Sequence, residues 1–308
     1  MSKSLIYSMQ FILCAFIFGS SWIAISFQVH DLGYIWPVSM RFLIGGVILG
    51  LIAIVKKQLK RPDFKNLLLI SLLMFGVNFI FIYAAGSYLK SGLNSLVCST
   101  VIFFNCLSSG LFLKQSIRPS QILAAILGIA GLTAVLSGHL NVSADKTDLI
   151  TGVILGLAGT LITSLGQIVF VKMRQKGDEI LSINCFGMIT GALLLGGYEW
   201  TKSGLPVLPD SSDFYSALMF LAIFPTALGF ILYHDLMDRV GPQKSAYVFI
   251  LAPAIAMAIS FFAESYQLSV YDGFGFLLIL AGFKLIVSPG QGSRLSDSTV
   301  TEQESTLK

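Results

Sequence analysis

Charged side chains are scarce in this sequence. Asp, Glu, Lys and Arg together make up 12% of its 308 residues, and an ordinary soluble domain carries about twice that fraction. The formal net charge of +4 does not come from one cluster, because the Lys and Arg residues are spread between long apolar runs. A nucleic-acid-binding surface is therefore not predicted, and the composition instead indicates a polytopic membrane protein.

The sequence also lacks the residue spacings that hold metals, disulfides or nucleotides. Its cysteines lie inside apolar runs with no C-x-x-C spacing, and its histidines are far apart with no nucleophile motif beside them. No Gly-x-x-x-x-Gly-Lys loop is present. We therefore expect no cofactor, no metal site and no enzymatic activity. The residues concerned are Cys14, Cys98, Cys106, Cys185, His30, His139 and His234.

What the sequence does have is a series of ten long apolar runs. A helix needs about 20 mostly apolar residues to cross the hydrocarbon, and continuous rather than alternating apolarity favours helices over barrel strands. We therefore predict an all-α integral membrane protein with ten transmembrane helices. The predicted spans lie near residues 5–26, 34–55, 66–86, 93–113, 119–138, 149–171, 181–199, 213–233, 244–263 and 271–288.

Lys and Arg are distributed unequally between alternate loops. With the N-terminus in the cytoplasm, the outside loops hold only Lys90, Lys146 and Lys202. This positive-inside pattern predicts a multi-pass protein of the inner (plasma) membrane with both termini in the cytoplasm. Residues 289–308 are polar without an apolar period, which predicts a disordered cytoplasmic tail. The inside loops hold Lys56, Lys57, Lys60, Arg61, Lys65, Lys114, Arg118, Lys172, Arg174, Lys176, Arg239 and Lys244.

The ten spans divide into two groups of five that resemble each other. At a shift of 149 residues, Gly92 aligns with Gly241 and Phe112 with Phe261, and two serines align as well. An odd number of spans per group means that the second group enters the membrane in the opposite orientation. We therefore predict two inverted five-helix repeats, residues 5–138 and 149–288, facing a shared central site. Two repeats in one chain remove the need to dimerise.

Several short motifs resemble the drug/metabolite transporter superfamily, EamA type. The first span carries Gly19-Ser20-Ser21-Trp22 and the second carries Pro37-Val38-Ser39-Met40-Arg41-Phe42. The second half adds Ala252-Pro253, Glu264 and glycines in the last span. The resemblance implies a ten-helix carrier of small metabolites, often amino acids, that frequently works as an exporter. The first half departs from the pattern, since Phe104 and Gln115 stand where the repeat predicts a proline and an acid.

Arg41 and Trp22 are the first candidates for contact with a substrate. Arg41 lies about 10 Å inside the second span at 1.5 Å per residue, where an ionisable group indicates a functional site. The alternative is that Arg41 reaches the interface or packs helices. Trp22 lies too deep for the interfacial aromatic belt, and it either lines a cavity for an organic substrate or packs between helices.

Uncharged polar residues inside the spans extend this candidate site. Asn78, Asn105, Gln167 and Asn184 must face the protein interior or a wet cavity, because hydrocarbon cannot satisfy an amide. They can bind substrate or hold helices together. Tyr83 and Tyr247 are amphipathic candidates for the pathway. Tyr233 could also line the pathway, but Tyr233 and His234 are near a span end, which favours an interfacial Tyr233 and a solvated His234.

Three residues are predicted to bend or gate the helices. Pro225 and Pro253 interrupt the eighth and ninth spans, either as kinks beside the site or as simple packing kinks. Glu264 closes the ninth span at the outside face, and its match to the family pattern implies a structural cap or gate.

No span carries a carboxylate near its middle, although proton-coupled export of cationic drugs normally needs one. The substrate is therefore expected to be a neutral, zwitterionic or anionic small molecule, and the lipid bilayer the only other partner. We predict a secondary transporter that exports small organic metabolites such as amino acids by alternating access. The alternatives are a non-transporting membrane scaffold or receptor, and a proton-coupled drug exporter.

Overall fold

The computed structural model describes residues 3–115, 119–140, 146–245, 248–266 and 269–287. Throughout these ranges the regular secondary structure is helical and no strand occurs. The predicted tail, residues 289–308, and Tyr247 lie outside the described residues. The helices of the first half are α1 Lys3–Leu32, α2 Ile35–Val55, α3 Phe64–Gly86, α4 Ser91–Leu113 and α5 Pro119–Leu140. Those of the second half are α6 Lys146–Gln175, α7 Ile180–Ser203, α8 Ser212–Val240, α9 Val248–Ala263 and α10 Val270–Val287.

Eight of these helices, α1 to α8, are long and apolar enough to cross a membrane by length and composition. The apolar parts of α9 and α10 are shorter, Leu251–Ala263 and Val270–Gly282. A four-residue helix, Pro242–Ser245, precedes α9. Large apolar side chains such as Leu51, Leu111 and Ile129 are exposed along the helices. Apolar side chains on the outside suit a lipid environment, so the described chain is an all-α, multi-pass membrane fold.

Three helices are interrupted within their length. Gly76 divides α3 into Phe64–Phe75 and Val77–Gly86, and a turn divides α4 into Ser91–Cys98 and Val101–Leu113. In α8 the stretch Ala222–Gly229 is π-helical and contains Pro225. Proline cannot donate a backbone hydrogen bond, so a local widening of the helix at this residue is expected.

Short polar side chains cap the starts of two helices, α3 and α8. The Asp63 side chain accepts a hydrogen bond from the Asn66 backbone N–H and so caps α3. In the same way, Ser211 Oγ accepts from the Phe214 N–H at 3.2 Å and caps α8. Each side chain satisfies a backbone donor that has no partner within its own helix.

The helix contacts follow a regular pattern. Three contacts join helices that hold the same position in the two halves: α2 with α7, α5 with α10, and α4 with α9. The other major contacts between the halves occur as corresponding pairs. The contact of α1 with α9 corresponds to that of α6 with α4, α1 with α8 to α6 with α3, and α2 with α8 to α7 with α3. Exchanging α1–α5 with α6–α10 therefore converts this set of contacts into itself.

Polar contacts at helix ends fix the relative directions of the helices. Gln10, near the start of α1, donates to Asp235 Oδ2 in the last turns of α8 at 3.0 Å. Arg174, at the end of α6, pairs with Asp238 at the end of α8 with an N to O distance of 2.8 Å. The start of α1 and the end of α6 thus lie at the same end of the bundle, and these two helices run in opposite directions.

Small residues let α5 and α10 cross at close range. A Cβ atom placed on Gly275 would lie 2.5 Å from the Gly131 carbonyl oxygen and would also overlap the Val135 side chain. A Cβ atom on Gly131 would lie 2.6 Å from the Gly275 carbonyl oxygen. The two backbones can approach this closely only because both positions lack a side chain.

We predict that Gly275→Ala destabilises the protein, because the added methyl group forces α5 and α10 apart at a cost of about 1–3 kcal/mol. The measurement is the fraction of protein that stays monodisperse after heating in detergent. Gly273→Ala is the matched control, since a Cβ atom at Gly273 meets nothing within 4 Å. Equal melting of the two variants would contradict the close crossing.

Candidate functional site

The interior of the helix bundle contains a cavity. Both halves contribute to its wall: Trp22, Arg41 and Asn78 come from the first half, and Thr163, Gln167 and Tyr233 from the second. The remaining wall is mainly apolar and aromatic, and includes Phe18, Phe79 and Phe230. A concave apolar site with a few inward polar groups is the usual form of a small-molecule site.

Arg41 is the only cationic side chain on the described wall of this cavity, and it is 2% exposed. Its Nε donates to Thr226 Oγ1 at 2.7 Å and its Nη1 to the Tyr83 hydroxyl at 3.4 Å. The guanidinium carbon lies 5.0 Å from the centre of the Phe79 ring and 5.4 Å from that of Phe42. Arg41 is thus held inside the bundle, and the alternative in which it reaches the membrane interface is wrong.

The π-helical stretch of α8 provides one of these partners. Thr226 follows Pro225 directly within Ala222–Gly229, and both residues are buried. The interruption predicted at Pro225 therefore lies beside the site, where its neighbour accepts a hydrogen bond from Arg41. Pro253 is also buried inside a helix, α9.

Tyr83 lies behind Arg41 rather than on the cavity wall. Its hydroxyl donates to Gln28 Oε1 at 3.0 Å and accepts from Arg41. Gln28 Nε2 has no partner among the described residues. Tyr83 and Gln28 thus orient Arg41 through the hydroxyl group.

Two of the predicted amides border the cavity. Asn78 donates to Thr163 Oγ1 at 3.1 Å, which joins α3 to α6, and its Oδ1 has no partner among the described residues. Gln167 Oε1 accepts from Asn105 Nδ2 at 2.7 Å and from the Tyr233 hydroxyl at 3.3 Å. Gln167 Nε2 has no described partner. Asn105 lies behind Gln167 and does not line the cavity.

Asn184 belongs to a separate polar pair with His234. Asn184 Oδ1 and His234 Nδ1 are 2.7 Å apart, and the His234 ring stacks on Phe170 with centres 4.0 Å apart. Neither Asn184 nor His234 is among the cavity-lining residues.

The prediction of an interfacial Tyr233 and a solvated His234 is wrong. Tyr233 is 1% exposed and lines the cavity, and His234 is 0% exposed. The physical reason is that α8 does not end near residue 233 but continues to Val240. Its charged last turns are held by ion pairs, namely Arg174 with Asp238 and Arg239 with Asp235. The spacing of Phe230, Tyr233, His234 and Met237 at three and four residues, typical of one helix face, was the signal for this.

Glu264 connects the end of α9 to the start of α4. Its Oε2 accepts from the Ser91 N–H at 2.9 Å and from Ser91 Oγ at 2.6 Å, and the Ser260 hydroxyl also donates to it. Lys90 Nζ donates to the carbonyl oxygens of Glu264 and Ser265, each at 3.0 Å. This carboxylate caps α4 and holds the two helices together at one end.

A second cluster joins α5 to α10 through His139. His139 Nε2 lies 2.8 Å from the Tyr266 hydroxyl and 3.0 Å from Asp272 Oδ1. Burial, followed by the negative charge of Asp272, raises the pKa of Tyr266, so its hydroxyl stays protonated. His139 and Asp272 are not among the residues that line the cavity, and their contact joins α5 to α10.

Comparison with known proteins assigns the family. The sequence model described as EamA-like transporter family matches residues 5–137 and 150–288. The chain belongs to the EamA-like transporter family. This membership confirms the resemblance found in the sequence motifs and makes the protein a membrane transporter rather than an enzyme.

Individual relatives are distant but match over most of their length. Protein PagO of Salmonella typhimurium is 22% identical over 275 residues, covering 86% of this transporter and 87% of PagO. The uncharacterized transporter YvbV of Bacillus subtilis is 25% identical over 305 residues, covering 91% and 95%. A crystal structure aligns with a TM-score of 0.70 at 16% identity, covering 93% of this transporter and 97% of that chain. Such a likeness shows the fold alone.

We predict that Cys98 reacts with a small water-soluble methanethiosulfonate faster than Cys185 does. Both thiols are buried, but only Cys98 lines the cavity. The measurement compares labelling rates of two variants, each retaining one of these cysteines, with the other cysteines replaced by Ala. A Cys98 rate no higher than that of Cys185 would contradict the assignment of the cavity as a water-accessible space.

Proposed function

We propose that the protein is a secondary transporter that exports small organic metabolites, such as amino acids, by alternating access. The observation that carries this proposal is the central cavity, whose polar groups come from both halves of a membrane-embedded bundle. Small-molecule cargo can bind there with its polar groups on Arg41, Asn78 and Gln167 and its apolar surface on the aromatic wall.

The proposed architecture is ten transmembrane helices in two inverted repeats, residues 5–138 and 149–288. Three observations support it. The family model matches two separate segments, exchange of the two sets of five helices preserves the contact pattern, and α1 and α6 run in opposite directions. The positive-inside pattern supports an inner-membrane location with both termini in the cytoplasm.

The proposed gates are the contacts that join the two halves at the helix ends. Glu264 holds the end of α9 to the start of α4, and this contact would break when that side of the cavity opens. The interruptions at Pro225 and Gly76 supply places where α8 and α3 can bend. In the proposed cycle, one side of the cavity opens while the other side is closed.

The experiment that tests the proposal has two stages. First, the metabolites of cells and of their medium are compared with and without overproduction of the protein, and export predicts enrichment in the medium. Second, the enriched compound is loaded into proteoliposomes and its efflux is compared with that from protein-free liposomes. A scaffold or receptor would give no saturable flux. A proton-coupled drug exporter would move cations in response to a pH gradient.

We predict that Trp22→Ala lowers the flux of the identified compound by roughly threefold to tenfold, because the variant loses an aromatic contact of about 0.5–1.5 kcal/mol on the cavity wall. Trp200→Ala is the matched control, since Trp200 is 60% exposed near the end of α7. Both variants should insert into the membrane in normal amount. Unchanged flux of Trp22→Ala at normal expression would remove Trp22 from the site.

A further inference from the structure

The cavity contains a buried positive charge that no described acid neutralises. No Asp or Glu is among the described residues lining the cavity, and the ion pairs found in the described ranges involve Asp235, Asp238 and Asp272 elsewhere. The described partners of Arg41 are the neutral oxygens of Thr226 and Tyr83. A buried charge without a counter-ion costs several kcal/mol, so this arrangement calls for an anion from outside the protein.

We propose that the cargo is an organic monoanion whose carboxylate binds Arg41 and whose apolar body lies along the aromatic wall. This inference rests on the proposed transport function and narrows its cargo from small organic metabolites in general to organic monoanions, in place of the zwitterionic amino acids named there as an example. The group that is recognised is the carboxylate, and a free amino group is not required.

The hydrogen bonds of Arg41 prepare the guanidinium for such a ligand. A guanidinium carries five N–H donors, and two of them are used by Thr226 and Tyr83. The other donors have no acceptor among the described residues. The rings of Phe79 and Phe42 lie near the guanidinium and hold it in place. A planar cation held in this way can accept a carboxylate through two parallel hydrogen bonds.

The surroundings of Arg41 determine what is attached to the carboxylate. The Phe79 ring centre lies 6.4 Å from that of Phe230, and Phe230 lies 5.9 Å from Phe18. These rings form a continuous wall that leads away from the guanidinium. An aromatic or branched aliphatic body would bury its surface against this wall.

A zwitterion fits the site less well than a monoanion. Among the fully buried side-chain oxygens of the described cavity wall, Asn78 Oδ1 has no hydrogen-bond partner, and this neutral oxygen can accept from an ammonium group without cancelling its charge. A bound zwitterion would thus leave the cavity with the whole positive charge of Arg41. A monoanion leaves it neutral.

The test uses the tryptophan on the cavity wall as a reporter of binding. The chain has three tryptophans. In the double variant Trp36→Phe, Trp200→Phe, the remaining tryptophan is Trp22, whose fluorescence reports binding. This reporter is placed in nanodiscs of zwitterionic phosphatidylcholine, which offer no anionic lipid as a competitor. It is titrated with phenylpropanoate, its neutral amide, phenylpropylamine and phenylalanine. These probes share one aromatic body and differ in charge.

We expect phenylpropanoate to bind at least about tenfold more tightly than the amide, since a hydrogen bond between two charged groups is stronger than one to a neutral group. The amine and phenylalanine should bind more weakly than phenylpropanoate. In Arg41→Gln the ratio of the anion and amide affinities should fall to near one, and Arg41→Lys should keep part of it. Arg61→Gln, which removes an exposed cation, should leave the ratio unchanged. Because each ratio is measured within one variant, general changes in packing do not move it.

The proposal is overturned if the amide or the amine binds as tightly as phenylpropanoate, if phenylpropanoate does not bind saturably, or if Arg41→Gln keeps the preference for the anion. If Arg41→Gln fails to fold, the proposal is tested by the anion-to-amide affinity ratio of Arg41→Lys and by the binding of the four probes to the reporter variant. Flux measurements distinguish failure of the proposed transport function from failure of the proposed anion class. Anion-selective binding without flux of any solute overturns transport alone, and flux of neutral or cationic metabolites alone overturns the anion class alone.

Discussion

The organisation of the bundle interior follows from the requirement that polar groups in hydrocarbon find partners inside the protein. Arg41 meets part of this requirement by bonding to Thr226 of α8 and Tyr83 of α3. The Gln167 oxygen meets it by accepting from Asn105 of α4 and Tyr233 of α8. Each bond joins different helices, so the polar side chains set the positions of the helices around the cavity. The same groups that hold the bundle together therefore also form the polar part of the site.

The sequence predicts those site residues that are conspicuous within apolar runs. Arg41, Asn78, Gln167 and Trp22 are polar or bulky in segments of aliphatic residues, and all four border the cavity. Tyr233 could not be placed in the same way, because the charged residues that follow it suggest the end of a span. These charged residues form ion pairs, Arg239 with Asp235 within α8 and Asp238 with Arg174 of α6, which allows α8 to continue to Val240. Such pairing depends on the approach of α6, which a single span does not reveal.

The proposed repeat relates two of the helix interruptions to each other. Gly76 in α3 and Pro225 in α8 are separated by the same shift of 149 residues that aligns Gly92 with Gly241. One half breaks the helix with glycine and the other with proline, so different residues produce an interruption at the same place. The chemistry of the cavity does not follow this symmetry. Arg41 has Thr190 at the corresponding position, and the positive charge therefore belongs to one half only.

An uncompensated charge in the cavity has consequences for the transport cycle. Closing both sides of an empty cavity removes water from Arg41, and the cost of burying the lone cation rises toward several kcal/mol. A bound monoanion neutralises the cation, so the closed state has a lower free-energy cost when it is loaded than when it is empty. The loaded protein would then change conformation faster than the empty one. A carrier with this property exchanges one anion for another more readily than it returns empty.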